Sequence, residues 1–217
     1  MKVLAFNGSP RKNWNTATLL NKALEGAASH GAETELFHHN YTYKGCASCF
    51  QCKRKNGSKY GQCASKDELT PLLEKVKHAD AILIGAPVYF GTVNGETHSF
   101  LERLMFPYLV YDSQFSSLFP RKIPTAFIYT MGANDERTRL LGYEQFYSLN
   151  QMFLERIFGK STYLVVTDTY QFDDYSKYVS SAFDSIAKAK RHATEFPKDC
   201  QKAYNLGVEL VSNHPIC

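Results

Sequence analysis

The chain has 217 residues, of which 44% are hydrophobic and 21% are charged, and its formal net charge is +4. This length and composition are those of an ordinary globular α/β domain, so we interpret residues 1–217 as one domain. The small, scattered excess of basic residues argues against nucleic acid as a partner, and no apolar run approaches the ~20 residues that span a bilayer, which argues against a membrane protein.

Apolar runs and helical periodicity alternate through the first half of the chain. Residues 3–6 form a short apolar run that predicts a buried strand, and residues 16–29 carry apolar side chains at helical spacing. Residues 34–38 predict a weaker second strand. Residues 67–78 predict a helix, and residues 81–85 predict a third buried strand.

The same alternation continues through the second half. We predict, in chain order, a helix through residues 100–104, a strand at 124–129, a helix at 140–158, a strand at 163–167, a helix at 175–195 and, beyond Pro197, a helix at 200–211. Five strands that alternate with helices indicate a doubly wound, five-stranded parallel sheet with helices on both faces. Ligands bind such a sheet at its carboxyl edge, where the strand order reverses.

The loop after the first strand, residues 8–16 (the first loop), has the chemistry of an anion site. Helix N-termini offer free N–H groups and the positive end of the helix dipole, so they favour phosphate. Ser9 and Thr16 add hydroxyl donors, and Arg11 adds a guanidinium group that fits phosphate oxygens. The other interpretation is a solvated loop in which Asn15 or Thr16 caps the helix, which leaves Ser9 and Arg11 unexplained. The spacing matches neither the Walker motif nor G-x-G-x-x-G.

Two further loops follow the third and fourth predicted strands and therefore lie at the same edge of the sheet. The second loop comprises Pro87, Val88, Tyr89, Phe90 and Gly91. The third loop comprises Met131, Gly132, Ala133 and Asn134. Tyr89, Phe90 and Met131 offer flat or apolar side chains, although Tyr89 alone is equally compatible with core packing.

In these loops the chain resembles the NADPH-dependent FMN reductase family of flavodoxin-like proteins. The resemblance lies in the sequence Gly-Ser-Pro-Arg at residues 8–11, closed by Asn-Thr at residues 15–16, and in Pro-Val-Tyr at residues 87–89. It implies a flavodoxin-like fold that binds FMN. The implied phosphate ligands are Ser9, Arg11, Asn15 and Thr16. The implied neighbours of the isoalloxazine ring are Pro87, Val88, Tyr89, Phe90 and Gly91, with Met131, Gly132 and Asn134 on the other side.

Two positions depart from the family pattern. Trp14 stands where the family usually has a small residue, so we expect it to seal the first loop or to reach a partner subunit. His98 stands where a lysine is common, ahead of Glu102 and Arg103 in place of an Asp-Arg pair. The role of that lysine therefore has no evident counterpart in this chain.

Residues 44–64 form a cysteine-rich insertion with the spacing C-x2-C-x2-C-x10-C. Its cysteines are Cys46, Cys49, Cys52 and Cys63. Four thiolates hold a [4Fe-4S] cluster or a tetrahedral zinc ion, and two C-x2-C pairs that share a cysteine are more usual for iron and sulfur. The segment resembles that of iron–sulfur flavoproteins, a branch of the same family, although its x10 gap is longer and relatives without a cluster keep similar cysteines. A cluster, zinc and unligated thiols therefore all stay open.

The cysteine count also bears on the compartment. The chain starts with a short apolar stretch that lacks a signal-peptide pattern, so we expect a cytoplasmic protein. Six cysteines in that compartment indicate metal or redox use rather than disulfide bonds. Cys200 and Cys217 lie far from the other four in the sequence, and we expect them to be ordinary thiols.

The residues and the resemblance together predict an FMN-dependent redox flavoprotein. Electrons would pass from NAD(P)H, as co-substrate, or from a ferredoxin-type donor to a small-molecule or protein acceptor, with or without a [4Fe-4S] relay. No side chain needs to act as an acid or base, because the flavin carries the chemistry. The alternatives are a non-enzymatic electron carrier of the flavodoxin type and a zinc or thiol sensor on the same scaffold. The family also implies a homodimer or homotetramer, for which the aromatic residues 106–119 are the candidate surface.

Overall fold

The computed structural model describes residues 1–39 and 42–212, so Cys217 lies outside the described residues. A parallel sheet forms its centre. The strands, in chain order, are β1 (Lys2–Asn7), β2 (Glu33–His38), β3 (Ala81–Tyr89), β4 (Thr92–Val93), β5 (Thr125–Thr130) and β6 (Ser161–Val166). Their order in the sheet is β2-β1-β3-β5-β6, with neighbouring strands parallel, while β4 pairs antiparallel with the end of β3. The predicted doubly wound sheet is confirmed, and β4 is a short strand that the sequence analysis missed.

Helices cover both faces of this sheet. In chain order they are α1 (Asn15–Ser29), α2 (Leu69–Val76), α3 (Gly95–Met105), α4 (Asp135–Leu140), α5 (Tyr143–Phe158), α6 (Ser185–Thr194) and α7 (Phe196–Ser212). Val3 and Ala5 of β1 pack with α1 and α7, whereas Leu4 and Phe6 pack with α2, α3 and α5 on the other face. This alternation is typical of a strand that is buried on both sides. Within the described part of the chain, no helix has the length and apolar character needed to cross a membrane.

Three helix predictions need correction. The helix predicted at 140–158 is α5, which begins only at Tyr143 because Gly142 before it has a left-handed φ of +68°, and the short helix α4 was not predicted. The helix predicted at 175–195 begins only with α6, where the Asp184 side chain caps the first turn. Pro197 does not separate two helices, because it lies in the first turn of α7, where no hydrogen bond from its nitrogen is needed.

The helices α1 and α7 approach each other so closely that two glycines lie where they cross. A Cβ atom at Gly207 would lie 1.7 Å from the Ala23 carbonyl oxygen, and one at Gly26 would lie 2.1 Å from the Tyr204 carbonyl oxygen. Both obstacles are backbone atoms, so no side-chain rotation relieves them. The helix that follows the first loop is therefore fixed against α7 by backbone contact.

Replacing Gly207 with alanine is expected to lower the free energy of unfolding by about 1–3 kcal/mol, the usual cost of overpacking, because α1 and α7 must move apart. Gly95→Ala is the matched control, since nothing lies within 4 Å of a Cβ atom at Gly95 in α3. That variant should be as stable as the wild type or slightly more stable. Chemical denaturation measures both values. A Gly207→Ala protein as stable as the control would show that the helices do not need this close approach.

Candidate functional site

The first loop is held tightly against the carboxyl edge of the sheet. The N–H group of Gly8 donates to the carbonyl oxygen of Gly85 on β3 at 2.8 Å, and Asn94 Nδ2 donates to the Gly8 carbonyl oxygen at 2.8 Å. A Cβ atom at Gly8 would lie 1.9 Å from Thr97 Oγ1 on α3. The close approach of α3 therefore requires glycine at the start of the loop.

Side chains at the end of β1 fix the turn that follows Gly8. Asn7 Oδ1 accepts a hydrogen bond from the N–H group of Ser9 at 3.0 Å, and Ser9 Oγ accepts one from the N–H group of Arg11 at 3.1 Å. Asn7 Nδ2 also lies 3.0 Å from His38 Nδ1 on the neighbouring strand β2. Ser9 is therefore part of the turn itself, and its hydroxyl proton is still available to a ligand.

The N-terminus of α1 has no side-chain cap. Trp14 is the N-cap residue, with an extended backbone and no capping hydrogen bond, and Asn15 and Thr16 already lie inside the helix. Thr16 Oγ1 lies 2.7 Å from Thr130 Oγ1 at the end of β5. The interpretation of Asn15 or Thr16 as a cap is therefore wrong, and the first turn of α1 keeps N–H groups that no capping side chain accepts.

Residues 168–171, which follow β6, close over the first loop, and we call this segment the strap. The carbonyl oxygen of Tyr170 accepts hydrogen bonds from Asn15 Nδ2 at 2.7 Å and from Trp14 Nε1 at 3.1 Å. Arg11 Nη1 donates to the carbonyl oxygen of Gln171. The Arg11 Cζ atom also lies 5.2 Å from the centroid of the Trp14 ring. Of the two roles expected for Trp14, sealing the first loop is the one that the structure shows.

The same strap holds the third loop. The N–H group of Asp168 donates to the Ala133 carbonyl oxygen at 2.7 Å, and that of Thr169 donates to the Met131 carbonyl oxygen at 2.9 Å. The Met131 side chain is buried in the core, where its sulfur accepts a hydrogen bond from Tyr147 Oη at 3.5 Å. The backbone of the third loop, rather than the Met131 thioether, therefore borders the edge of the sheet.

A buried lysine on α6 supports the junction of strap and third loop. Lys188 Nζ donates to the Gly132 carbonyl oxygen at 2.7 Å and pairs with Asp168 at 2.5 Å, and the Lys188 side chain is only 4% exposed. Asp168 has a left-handed φ of +54°, which is uncommon for a residue with a side chain. The ion pair and the hydrogen bond hold this strained residue in place. At the end of the same loop, Asn134 caps α4 by accepting a hydrogen bond from the N–H group of Arg137.

The second loop is shorter than predicted, because residues 87–89 continue β3, and Val88 and Tyr89 pair with β4. The chain turns at Phe90 and Gly91, whose φ angles are +51° and +85°. Phe90 is fully exposed and Tyr89 is about half exposed. Burial raises the pKa of Tyr89, and the charge of Arg11 opposes that shift.

The four cysteines of the insertion line one cavity beside α3. Cys52 is buried, Cys46 and Cys63 are half-buried, and Cys49 is exposed. Burial raises the pKa of the Cys52 thiol, while the neighbouring Lys53 ammonium acts to lower it. In the described residues, no three histidine, cysteine or acidic side chains converge as a preassembled metal site. The thiols are therefore gathered in one place without being arranged as ligands.

A buried arginine borders this cavity. The Arg103 side chain is 1% exposed and forms a two-pronged ion pair with Asp67, one of whose contacts is 2.9 Å long. The guanidinium group also interacts with the Cys63 thiol and donates to the Lys44 carbonyl oxygen at 3.0 Å. Burial acts to raise the pKa of Asp67, but Arg103 outweighs it and holds that pKa below its usual value.

A second cation, Lys53, follows Cys52 directly in the insertion. Lys53 Nζ donates to the carbonyl oxygens of Phe106 and Leu109, and it lies 4.5 Å from the centroid of the Phe106 ring. Burial lowers the pKa of Lys53, whereas the nearby Cys52 thiol opposes that change. Together, Lys53 and Arg103 anchor the insertion to α3 and to the turn after it.

A family model described as NADPH-dependent FMN reductase matches residues 1–172. The chain belongs to this family. The motifs in the first and second loops predicted this family, and that prediction is confirmed. The remaining residues, which include α6 and α7, lie beyond the matched part.

Curated relatives share about a third of the aligned residues. An iron–sulfur flavoprotein of Archaeoglobus fulgidus is 41% identical over 104 residues, which cover 48% of this chain and 48% of the relative. Another, from Methanocaldococcus jannaschii, is 36% identical over 104 residues, which cover 48% of this chain and 51% of the relative. The chain is thus aligned with about half the length of the curated relatives that it matches.

Solved structures share the fold of this family member at low sequence identity. An NAD(P)H:quinone oxidoreductase from Methanothermobacter marburgensis superposes with a TM-score of 0.70 at 14% identity, over 99% of each chain. An FMN-dependent NADH-azoreductase from Bacillus anthracis, in complex with FMN, has a TM-score of 0.62 at 11% identity, over 95% of this chain and 99% of that one. Both likenesses show the flavodoxin-like fold.

The predicted site residues of this family member fall into two groups. The residues of the first, second and third loops lie at the carboxyl edge of the sheet, and the four cysteines lie beside α3. The sequence analysis missed four residues that shape these places: Asn7, Asn94, Arg103 and Lys188. Asn7 had a signal, because it is the polar residue that ends the apolar first strand. Arg103 had a weak signal as part of the Glu102-Arg103 pair compared with the family pattern, and Lys188 had none that separates it from ordinary surface cations.

Proposed function

We propose that this chain is an FMN oxidoreductase that takes electrons from NAD(P)H and passes them to a small-molecule or protein acceptor. The first loop carries the proposal, because its uncapped helix end, its hydroxyl groups and its guanidinium group suit a phosphate dianion. The proposed phosphate ligands are Ser9, Arg11, Asn15 and Thr16. The proposed neighbours of the flavin ring are Pro87, Val88, Tyr89, Phe90, Gly91, Met131, Gly132 and Asn134.

The contacts of the first loop support a phosphate in this position. The N-terminus of α1 provides the positive end of a helix dipole together with N–H donors. Ser9 Oγ already accepts a hydrogen bond from the N–H group of Arg11, so its own proton is free to reach a phosphate oxygen. A guanidinium group has five N–H donors, and Arg11 uses one of them on the strap. The remaining donors of Arg11 are available to an anion.

The second and third loops suit the ring. FMN, when bound, supplies one- and two-electron chemistry at its isoalloxazine ring. Tyr89 and Phe90 present aromatic surface that covers an apolar ring and excludes water. The third loop offers a backbone whose conformation the strap and Lys188 fix. We assign no acid or base role to any side chain, so these residues bind, orient and desolvate.

Arg11→Ala is expected to weaken FMN binding roughly ten- to a hundredfold, because a hydrogen bond to a charged group contributes about 1.5–3 kcal/mol. Lys22→Ala is the control, since it removes the same charge farther along α1, where Lys22 pairs with Glu25 in an exposed position. Titration of the flavin-free proteins with FMN measures both affinities. Equal affinities for the two variants would place the phosphate elsewhere.

The electron donor is tested with FMN-loaded protein under anaerobic conditions. We expect NADPH or NADH to bleach the absorbance of bound flavin faster than it bleaches free FMN at the same concentration, because the protein orients the two rings. Stopped-flow absorbance measures the rates. If the protein binds FMN but neither nicotinamide reduces it faster than free FMN, the chain is an electron carrier of the flavodoxin type rather than a reductase.

We also propose that the four cysteines hold a [4Fe-4S] cluster. The number and chemistry of the thiols fit such a cluster, and Lys53 and Arg103 provide positive charge that offsets thiolate charge at the cavity. The names of the curated relatives support the same assignment. The cysteine side chains need to rotate toward one another to become ligands.

Anaerobically purified protein is expected to contain iron and sulfide and to absorb broadly beneath the flavin bands. Cys49→Ser should remove that absorbance and the iron, because three thiolates hold a cluster poorly. Cys200→Ser is the control, since Cys200 lies on α7 away from the cavity. Metal analysis completes the test. Zinc in place of iron, or unchanged iron in Cys49→Ser, would contradict the assignment.

The outer surface of α5 supports a homodimer or homotetramer. Leu149, Met152 and Phe153 are 51%, 41% and 44% exposed, at spacings that place them on one side of the helix. Tyr111 and Phe115, in the aromatic segment predicted for this role, are exposed as well.

We place the protein in the cytoplasm, where free thiols such as those of the insertion persist.

A further inference from the structure

Trp14 contacts both the guanidinium group of Arg11 and the strap to which that group is bound. Its ring lies beside the guanidinium group, with the Arg11 Cζ atom 5.2 Å from the ring centroid. Its indole N–H group donates to the carbonyl oxygen of Tyr170 at 3.1 Å. The next carbonyl along the strap, that of Gln171, accepts the hydrogen bond from Arg11 Nη1. Ring and strap therefore confine the guanidinium group from two sides.

This confinement matters because Arg11 is otherwise an exposed, long side chain. Such a side chain loses rotamer freedom when it binds an anion, and that loss weakens binding. A guanidinium group that is already held by an aromatic face and a carbonyl oxygen loses less freedom when the anion arrives. The Trp14 side chain has a single polar atom, the indole nitrogen, and its N–H group is used by the strap. The side chain therefore has no donor left for a phosphate.

We infer that Trp14 is a positioning residue that acts through Arg11 and makes the site selective for the phosphate of FMN. This inference rests on the proposed function, because it takes the first loop as the phosphate site. Trp14 stabilises the orientation of Arg11 before the flavin binds, and it does not contact the phosphate. Its effect is consequently confined to ligands that carry a phosphate, such as FMN, and is absent for riboflavin, which has the same ring without one.

The experiment compares the affinities of the flavin-free protein for FMN and for riboflavin. Trp14→Leu should lower the ratio of FMN affinity to riboflavin affinity about two- to fivefold, the range that corresponds to a cation–π contact at an exposed site. Trp14→Phe keeps an aromatic face but loses the indole N–H group, so its ratio should lie between those of the wild type and Trp14→Leu. Flavin fluorescence measures all of these affinities.

A double-mutant cycle separates positioning from packing. In an Arg11→Ala background, Trp14→Leu should leave the ratio unchanged, because the residue through which it acts is gone. Equal weakening of FMN and riboflavin by Trp14→Leu, or a drop in the ratio that persists without Arg11, would overturn the inference. Trp14→Phe with a ratio equal to that of Trp14→Leu would assign the effect to the indole N–H and overturn the role of the ring.

The same measurements distinguish this inference from the proposed function. A wild-type protein that prefers FMN to riboflavin, with Arg11→Ala abolishing the preference, supports the phosphate site whatever Trp14 does. A wild-type protein with no preference would overturn the phosphate site, and the inference with it. Because Trp14 is the single tryptophan of the chain, its fluorescence also reports directly whether flavin binds near the first loop.

Discussion

The two consecutive carbonyl oxygens of Tyr170 and Gln171 are the constraint on which the candidate site depends. They accept hydrogen bonds from side chains of the first loop, while N–H groups of the same strap donate to the third loop. Parallel strands bring such loops to one edge of a sheet, but they do not fix how the loops are folded. Here one short segment joins two loops that belong to different strands, so the edge is a single hydrogen-bonded unit.

The helix α3 connects this edge to the cysteine insertion. At its start, Asn94 binds the first loop and Thr97 packs against Gly8, and further along, Arg103 interacts with Asp67 and Cys63. Thr97 and Arg103 are six residues apart (103 − 97), or roughly 9 Å along a helix axis. One helix therefore contacts both the first loop and the cysteine insertion.

Much of this fold follows from patterns that are local in sequence. The apolar run of β1, the periodicity of α1 and the polar loop between them were sufficient to predict the sheet edge and its loops, because each depends on neighbouring residues. The strap was not predictable, since its contacts join residues about 155 positions apart. The ion pair of Arg103 with Asp67 and that of Lys188 with Asp168 depend in the same way on tertiary placement. The short helix α4 was missed because six residues are too few to show a helical period, and the start of α6 at the Asp184 cap was placed too early.

The close crossing of α1 and α7 affects the order in which the parts of the molecule fold. Tyr204 Oη on α7 donates to Ser29 Oγ on α1 at 2.9 Å, across 175 residues of sequence. During synthesis, α1 is translated long before α7. The face of α1 that α7 covers therefore stays exposed to solvent until α7 has been translated. Contacts this distant in sequence form late in folding, because closing so long a loop costs entropy. The helix that follows the first loop is thus covered only by a segment that is translated about 175 residues later.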